Sequence, residues 1–276
     1  MADQKSSAQP DLEASTPAQN ERPKRSFRQR WTQTVDNKYA DLICLMLCLI
    51  TGLCDSASYN AWSCFLAMQT GNTVFLGLGA SSQPVGKPWG WLKSLVSIAA
   101  FFIGSFTFAN ITRYFNARSR GTLICSFLAQ TILIVIADAL IEADLIPHTS
   151  SDAYLTGGRL FLELIPIALL AFQSSGSITS SRALGYNEIP TVVLTSVYFD
   201  TASDPKLADG PTSNVKRNRR IGGVAFLLIG AIIGRWLSRS SGGMQSALWM
   251  AAGLKFVIGV IWWFWPGSVE STGAKK

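Results

Sequence analysis

Two short stretches of this chain collect the residue types that line solute sites inside membranes: Gln69, Thr70, Gly71, Asn72 and Thr73 in the first, and Thr191, Thr195 and Ser196 in the second. Gly71 disfavours a helix, and the amide and hydroxyl side chains compete for backbone groups, so a break in an apolar helix is expected at each. Within a bilayer such a break is tolerated only where protein or a water-filled cavity supplies partners for the freed amides and carbonyls. Half-helix N-termini at the break offer partial positive charge to an anion, and half-helix C-termini offer carbonyls to a cation. The same residues are equally suited to a polar kink that packs helices together.

Few ionisable residues lie among the apolar stretches. Asp55 is a proton-coupling candidate, or else a carboxylate that caps the next short helix. Lys255, near mid-span, is an ion-pair candidate with Asp55 or Glu163, the alternative being that it snorkels along its stem. Glu163 and Asp138 fall near span ends and read as solvated or paired carboxylates. In the polar stripe Gln173-Ser174-Ser175-Gly176-Ser177, the small residues suit close helix contact, and Gln173 is the expected lining residue. Five cysteines and a single histidine, His148, suggest neither a disulfide framework nor a metal or haem site, and no cofactor is expected. No Walker, Gly-x-Ser-x-Gly or His-Glu-x-x-His motif occurs, so no catalytic residue is assigned and a non-enzyme is expected.

The elements that must position these residues are membrane helices. The chain has 276 residues, 48% of them hydrophobic, too apolar for an ordinary soluble domain. Stretches at about 41–58, 92–112, 122–143, 160–181, 221–237 and 244–265 are each long enough to cross about 30 Å of hydrocarbon. The expected fold is all-α: a polytopic transmembrane bundle of six full spans plus two short broken segments, 68–76 and 190–198, in duplicated, pseudo-symmetric halves. The net charge of +7 sits mostly beside these spans, as topology signals rather than a nucleic-acid face. Six spans put three basic groups on the cytoplasmic side: Arg22, Lys24, Arg25, Arg28, Arg30 and Lys38; Arg113, Arg118 and Arg120; and Lys206, Lys216, Arg217, Arg219 and Arg220. Lys275 and Lys276 join them, the acidic loop with Asp144 and Asp152 falls outside, and both termini are cytoplasmic. Eight spans would move Arg113 to Arg120 outside, against the rule. The expected division is a disordered basic tail (1–38), a first transmembrane repeat (39–150), a second (151–266) and a short cytoplasmic tail (267–276), with no cleavable signal peptide.

The duplication is read from order and spacing. Phe101-Phe102-Ile103-Gly104 precedes Leu227-Leu228-Ile229-Gly230 by 126 residues, and Thr70 precedes Thr195 by 125. Three spans per half would insert the second copy upside down. Gly230 and Gly234 suit close helix contact or a homodimer. Trp262, Trp263 and Trp265, with Trp89 and Trp91, read as interfacial anchors.

Gly52-Leu53-Cys54-Asp55, Gln69-Thr70-Gly71-Asn72-Thr73-Val74 and Ala171-Phe172-Gln173-Ser174 resemble motifs of the YoaK-like membrane proteins, a domain of unknown function. The stretch from Arg182 to Ser196 resembles the fungal branch, and the resemblance covers about residues 41 to 265. It implies a multi-spanning protein of an inner or plasma membrane without an established activity. Where bacterial relatives resemble a second Thr-Gly-Asn, this chain has Thr195-Ser196-Val197. The leading expectation is a secondary transporter or facilitator of a small solute, in a plasma or internal membrane. A lipid-acting membrane enzyme built on Asp55, Glu163 and Lys255, or a scaffold or sensor, is the alternative.

Overall fold

The computed structural model describes residues 26–82, 89–146, 158–189 and 191–268. Arg22, Lys24, Arg25, His148, Asp152, Pro190, Lys275 and Lys276 lie outside the described residues. The described chain is helical: α1 (Phe27–Thr32), α2 (Ala40–Trp62), α3 (Gln69–Ala80), α4 (Gly90–Tyr114), α5 (Arg120–Glu142), α6 (Arg159–Leu162), α7 (Leu164–Ala183), α8 (Thr195–Ala202), α9 (Val215–Ser238) and α10 (Gly243–Phe264). Local chemistry starts several of them. Ser26 and Gln29 form a reciprocal capping box on α1, the Ser119 hydroxyl accepts from the Thr122 amide at the start of α5, and the Asn214 side chain accepts from Arg217 at the start of α9.

Five helices, α2, α4, α5, α9 and α10, are long and apolar enough to cross a membrane. The sixth expected span, α7, has 20 residues and the length to cross at about 1.5 Å per residue. Its serines and glutamine make it too polar to belong with the five. It is packed against α4, α5 and α2, which cover its polar face.

Helices pair through glycines. α2 and α9 run parallel: a methyl group on Gly52 would overlap the Leu227 carbonyl, and one on Gly230 or Gly234 would overlap the Leu49 or Leu53 carbonyl. The Gly230/Gly234 pattern is thus packed inside the chain, on α2. α4 and α7 also run parallel, with Gly104 against the Phe172 carbonyl. α5 and α10 run antiparallel, with Phe127 against Gly259. α7 packs on α5, and α2 on α10. Trp262 faces this core and is fully buried, unlike the interfacial anchor its sequence neighbours suggested.

These pairings define two faces. One gathers the starts of α2, α5 and α9, the ends of α4, α7 and α10, and both described chain ends. Residues 26–36, expected to belong to the disordered tail, are ordered there. Val35 is buried and bridged to Gly267, Thr34 is bridged to Ser119, and the Arg30 side chain donates to the Trp263 carbonyl at 3.1 Å. Arg120, expected to be a loop charge, is buried and donates to the carbonyls of Trp262, Trp263 and Trp265, closing the end of α10. The opposite face holds the Lys93–Glu163 ion pair and the Asn60–Arg235 contact.

Candidate functional site

The first interruption lies just before the Gln-Thr-Gly-Asn stretch, not within it. α2 stops at Trp62, Ser63 takes a left-handed conformation, and the chain folds back along the helix it has left. The Ser58 hydroxyl donates to the Cys64 carbonyl at 2.9 Å, and Asp55 Oδ1 accepts from the Leu66 and Ala67 amides at 2.7 and 2.9 Å. Of the two roles open to Asp55 in the sequence, its geometry is that of the cap, placed on the returning loop. Its Oδ2 accepts no hydrogen bond.

Gln69 and Asn72 lie in the first turn of α3 and fasten the loop rather than break the helix. Asn72, fully buried, accepts from the Phe65 amide at 3.0 Å and donates to the Phe65 carbonyl at 2.7 Å, to Gln69 Oε1 at 2.9 Å and to Ser97 at 3.1 Å. Gln69 donates to the Leu66 carbonyl and to Ser97. Gly71 sits against the Phe65 ring, where any side chain would collide. Thr70 and Thr73 are exposed.

The second interruption follows α7, and Thr191 is its deep point. The Thr191 carbonyl accepts from the Thr51 hydroxyl at 2.8 Å, and its own hydroxyl lies 3.4 Å from that of Ser181. α8 begins at Thr195, so Thr195 and Ser196 also open a short helix, and both are exposed. Beyond α8 the chain is tied at Asp204, whose carboxyl is held below the ordinary carboxylate range by hydrogen bonds from Asn214 and the Lys206 amide.

Both turns reach the middle of α2 and α7. Ser174, on α7, donates to the Leu66 carbonyl of the first turn at 2.9 Å, while Thr51, on α2, holds the second. Thr51 and Asp55 are one helical turn apart, about 6 Å along the axis. The two deep points therefore approach one level from opposite faces, although α3 packs on α4 and α8 on α9.

Beside this level lies a buried lysine. Lys255 Nζ donates to Gln130 Oε1 and Gln173 Oε1, each at 2.6 Å, and to Ser177 Oγ at 3.2 Å, joining α10, α5 and α7. It pairs with neither Asp55 nor Glu163. Asp55 Oδ1 is occupied by backbone amides, and Glu163, ten residues before Gln173 and so about 15 Å away along α7, pairs with Lys93. The three groups proposed for a lipid enzyme share no ion pair or hydrogen-bond partner. Asp138, expected to be solvated or paired, is fully buried with neither carboxylate oxygen hydrogen-bonded.

Two clefts lie between helix pairs. One, of about 520 Å³ between α2 and α9, is lined by Asp55, Ser56, Tyr59, Asn60, Leu227, Ala231 and Arg235, with Phe65 and Met68 of the first turn. The other, of about 480 Å³ between α4 and α7, is lined by Phe101, Ser105, Ala109, Arg113, Ile178, Thr179, Arg182 and Ala183. The first lies toward the face holding Asn60–Arg235, the second toward the face with the chain ends. Seven residues of each lining occupy matching positions: Asp55, Ser56, Tyr59 and Asn60 lie 123 residues before Ile178, Thr179, Arg182 and Ala183. Likewise Phe101, Ser105 and Ala109 lie 126 residues before Leu227, Ala231 and Arg235.

Sequence reasoning assigned no role to Ser97, Thr51, Ser181 and Gln130, and read Ser174 as a packing residue, although these side chains fix the turns and the lysine. Only Gln130 carried a signal, since it precedes Lys255 by the 125 residues that separate Thr70 from Thr195. No curated protein and no solved structure matches this chain. A family model does match, over residues 43–261, most of the membrane-spanning helices and both turns included, and the chain belongs to that family, described as Protein of unknown function (DUF1275).

Proposed function

We propose that this integral membrane protein moves a small solute across the bilayer rather than transforming it, by alternating exposure of a centre bounded by the two turns. The observation that carries the reading is the pair of clefts on opposite faces with linings at constant spacing. Inverted duplication accounts for that spacing, and the helix pairings agree with it. Exchanging α2 with α7, α4 with α9 and α5 with α10 turns the α2–α9 pair into α7–α4 and the α5–α7 pair into α10–α2, all of which occur. The cross-half bonds follow suit, since Thr51 precedes Ser174 by 123 residues and their acceptors, Leu66 and Thr191, are 125 apart. Two halves of opposite orientation are the usual architecture of rocking-type carriers.

The face with the chain ends carries most of the basic side chains, which orients it to the cytoplasm. The lining residues in this reading are Asp55, Ser56 and Arg235 in one cleft and Ser105, Thr179 and Arg182 in the other. Gln69, Asn72 and Thr191 hold the turns. Reconstitution into proteoliposomes tests it. Uptake of some member of a panel of small anions, cations and neutral solutes should exceed that of empty vesicles, and fall at least about tenfold on replacing Asn72 by Ala. An inert panel across inside-acid and inside-alkaline gradients would rule transport out.

A further inference from the structure

The α4–α7 cleft is lined by two arginines that form no ion pair with a described residue. Arg113 lies in the last turn of α4 and Arg182 in that of α7, so the parallel packing of these helices brings both residues to the lining of one cleft. Neither makes an ion pair or a hydrogen bond with any described residue. Three neighbours on the same face are engaged, whereas Arg118 and Lys216 likewise have no side-chain partner among the described residues. Arg219 pairs with Asp41 and Glu188, Arg220 with Asp204, and Arg217 donates to the carbonyls of Leu207 and Asp209. The Arg113 and Arg182 side chains are both exposed, so water screens their mutual repulsion, and an anion between the two cations reverses the sign of that interaction. Ser105, on the same wall, has a hydroxyl that makes no hydrogen bond with any described residue and so supplies a further donor.

The matching cleft lacks this arrangement. There the position equivalent to Arg182 is Tyr59, the one equivalent to Arg113 is Arg239, stacked over Trp236, and Arg235 is bonded to Asn60 at 2.5 Å. The basic pair therefore belongs to one side of the protein alone. Guanidinium forks match the geometry of oxyanions and bind phosphate groups in bidentate fashion.

We propose that the α4–α7 cleft is a phosphate-group site, held by Arg113 and Arg182 with Ser105 as the third donor. It stands independently of transport, because binding needs only this cleft. A phosphate group reaches it either as a free ion or as the headgroup of an anionic lipid, whose basic pockets between membrane helices have the same chemistry.

The test is thermal unfolding of the full-length protein in neutral detergent, at constant ionic strength, with inorganic phosphate in one arm and short-chain phosphatidic acid in mixed micelles in the other. Chloride and phosphatidylcholine are the respective controls. The unfolding midpoint should rise with at least one phosphate carrier. Arg113→Gln or Arg182→Gln should raise the half-saturating concentration by about tenfold, the effect of one charge-assisted bond. The double variant should lose the rise, and Arg239→Gln should keep it. A response to phosphate alone assigns the site to a free ion, and a response to the lipid alone assigns it to a headgroup. No rise in either arm, or a double variant that responds like the parent, overturns the proposal.

Discussion

Lys255 is the clearest case of a side chain whose surroundings decide what it can be. An ammonium ion taken out of water costs several kcal/mol unless its protons find acceptors, and here three acceptors from two other helices meet it. Removing it by Lys255→Ala leaves the buried Gln130 and Gln173 carbonyls without a donor, at about 1–3 kcal/mol each. Thermal unfolding in detergent should register a loss of about 2–5 kcal/mol for Ala and a smaller one for Met, which keeps the volume and removes the charge. Unchanged midpoints in both variants would mean that the ammonium does not tie the three helices. The sequence marked Lys255 as anomalous by its apolar neighbours, yet it pointed to a carboxylate partner. Neutral amides hold it instead, and an amide in an apolar helix does not stand out as a charge does.

At the level of single helices, composition identified spans well and interruptions only approximately. The apolar runs of α2, α4, α5, α9 and α10 are long enough to be unambiguous. The breaks fall at 63–68 and 184–194, the first ahead of the polar cluster that seemed to mark it, because Gln69 and Asn72 reach backwards to hold the loop. A side chain that fastens a neighbouring turn and one that interrupts its own helix have the same residue types. Glycines show the converse: Gly230 and Gly253 look alike in sequence, but a methyl group on Gly230 would meet the Leu49 backbone, and one on Gly253 would meet nothing. Gly230→Leu should therefore separate α9 from α2 and cost at least about 3 kcal/mol, while Gly253→Leu leaves the unfolding midpoint within about 0.5 kcal/mol of the parent. Equal effects would contradict the close α2–α9 approach.

For the molecule as a whole, opposed clefts make a directional prediction. Single cysteines introduced at Ser56 and at Thr179 should react with a membrane-impermeant thiol reagent from opposite sides of sealed vesicles, above the background of the native cysteines. Labelling of both from one side would remove the basis for alternating exposure. The spacing on which the proposed duplication rests was partly legible in the sequence, because Gly104 and Gly230 recur 126 residues apart. The paired linings were not, since Asp55 corresponds to Ile178 and Arg182 to Tyr59, and only shared position relates them. Gln130 and Lys255 form another such pair of unlike residues, and they touch each other across the boundary between the proposed halves. In an ancestor assembled from two separate identical subunits, that meeting point would have been occupied by two glutamines or by two lysines, and a second ammonium there would have been repelled by the first. On the proposed duplication, joining the copies into one chain would free the two positions to differ, so that a single unmatched charge can sit at the centre.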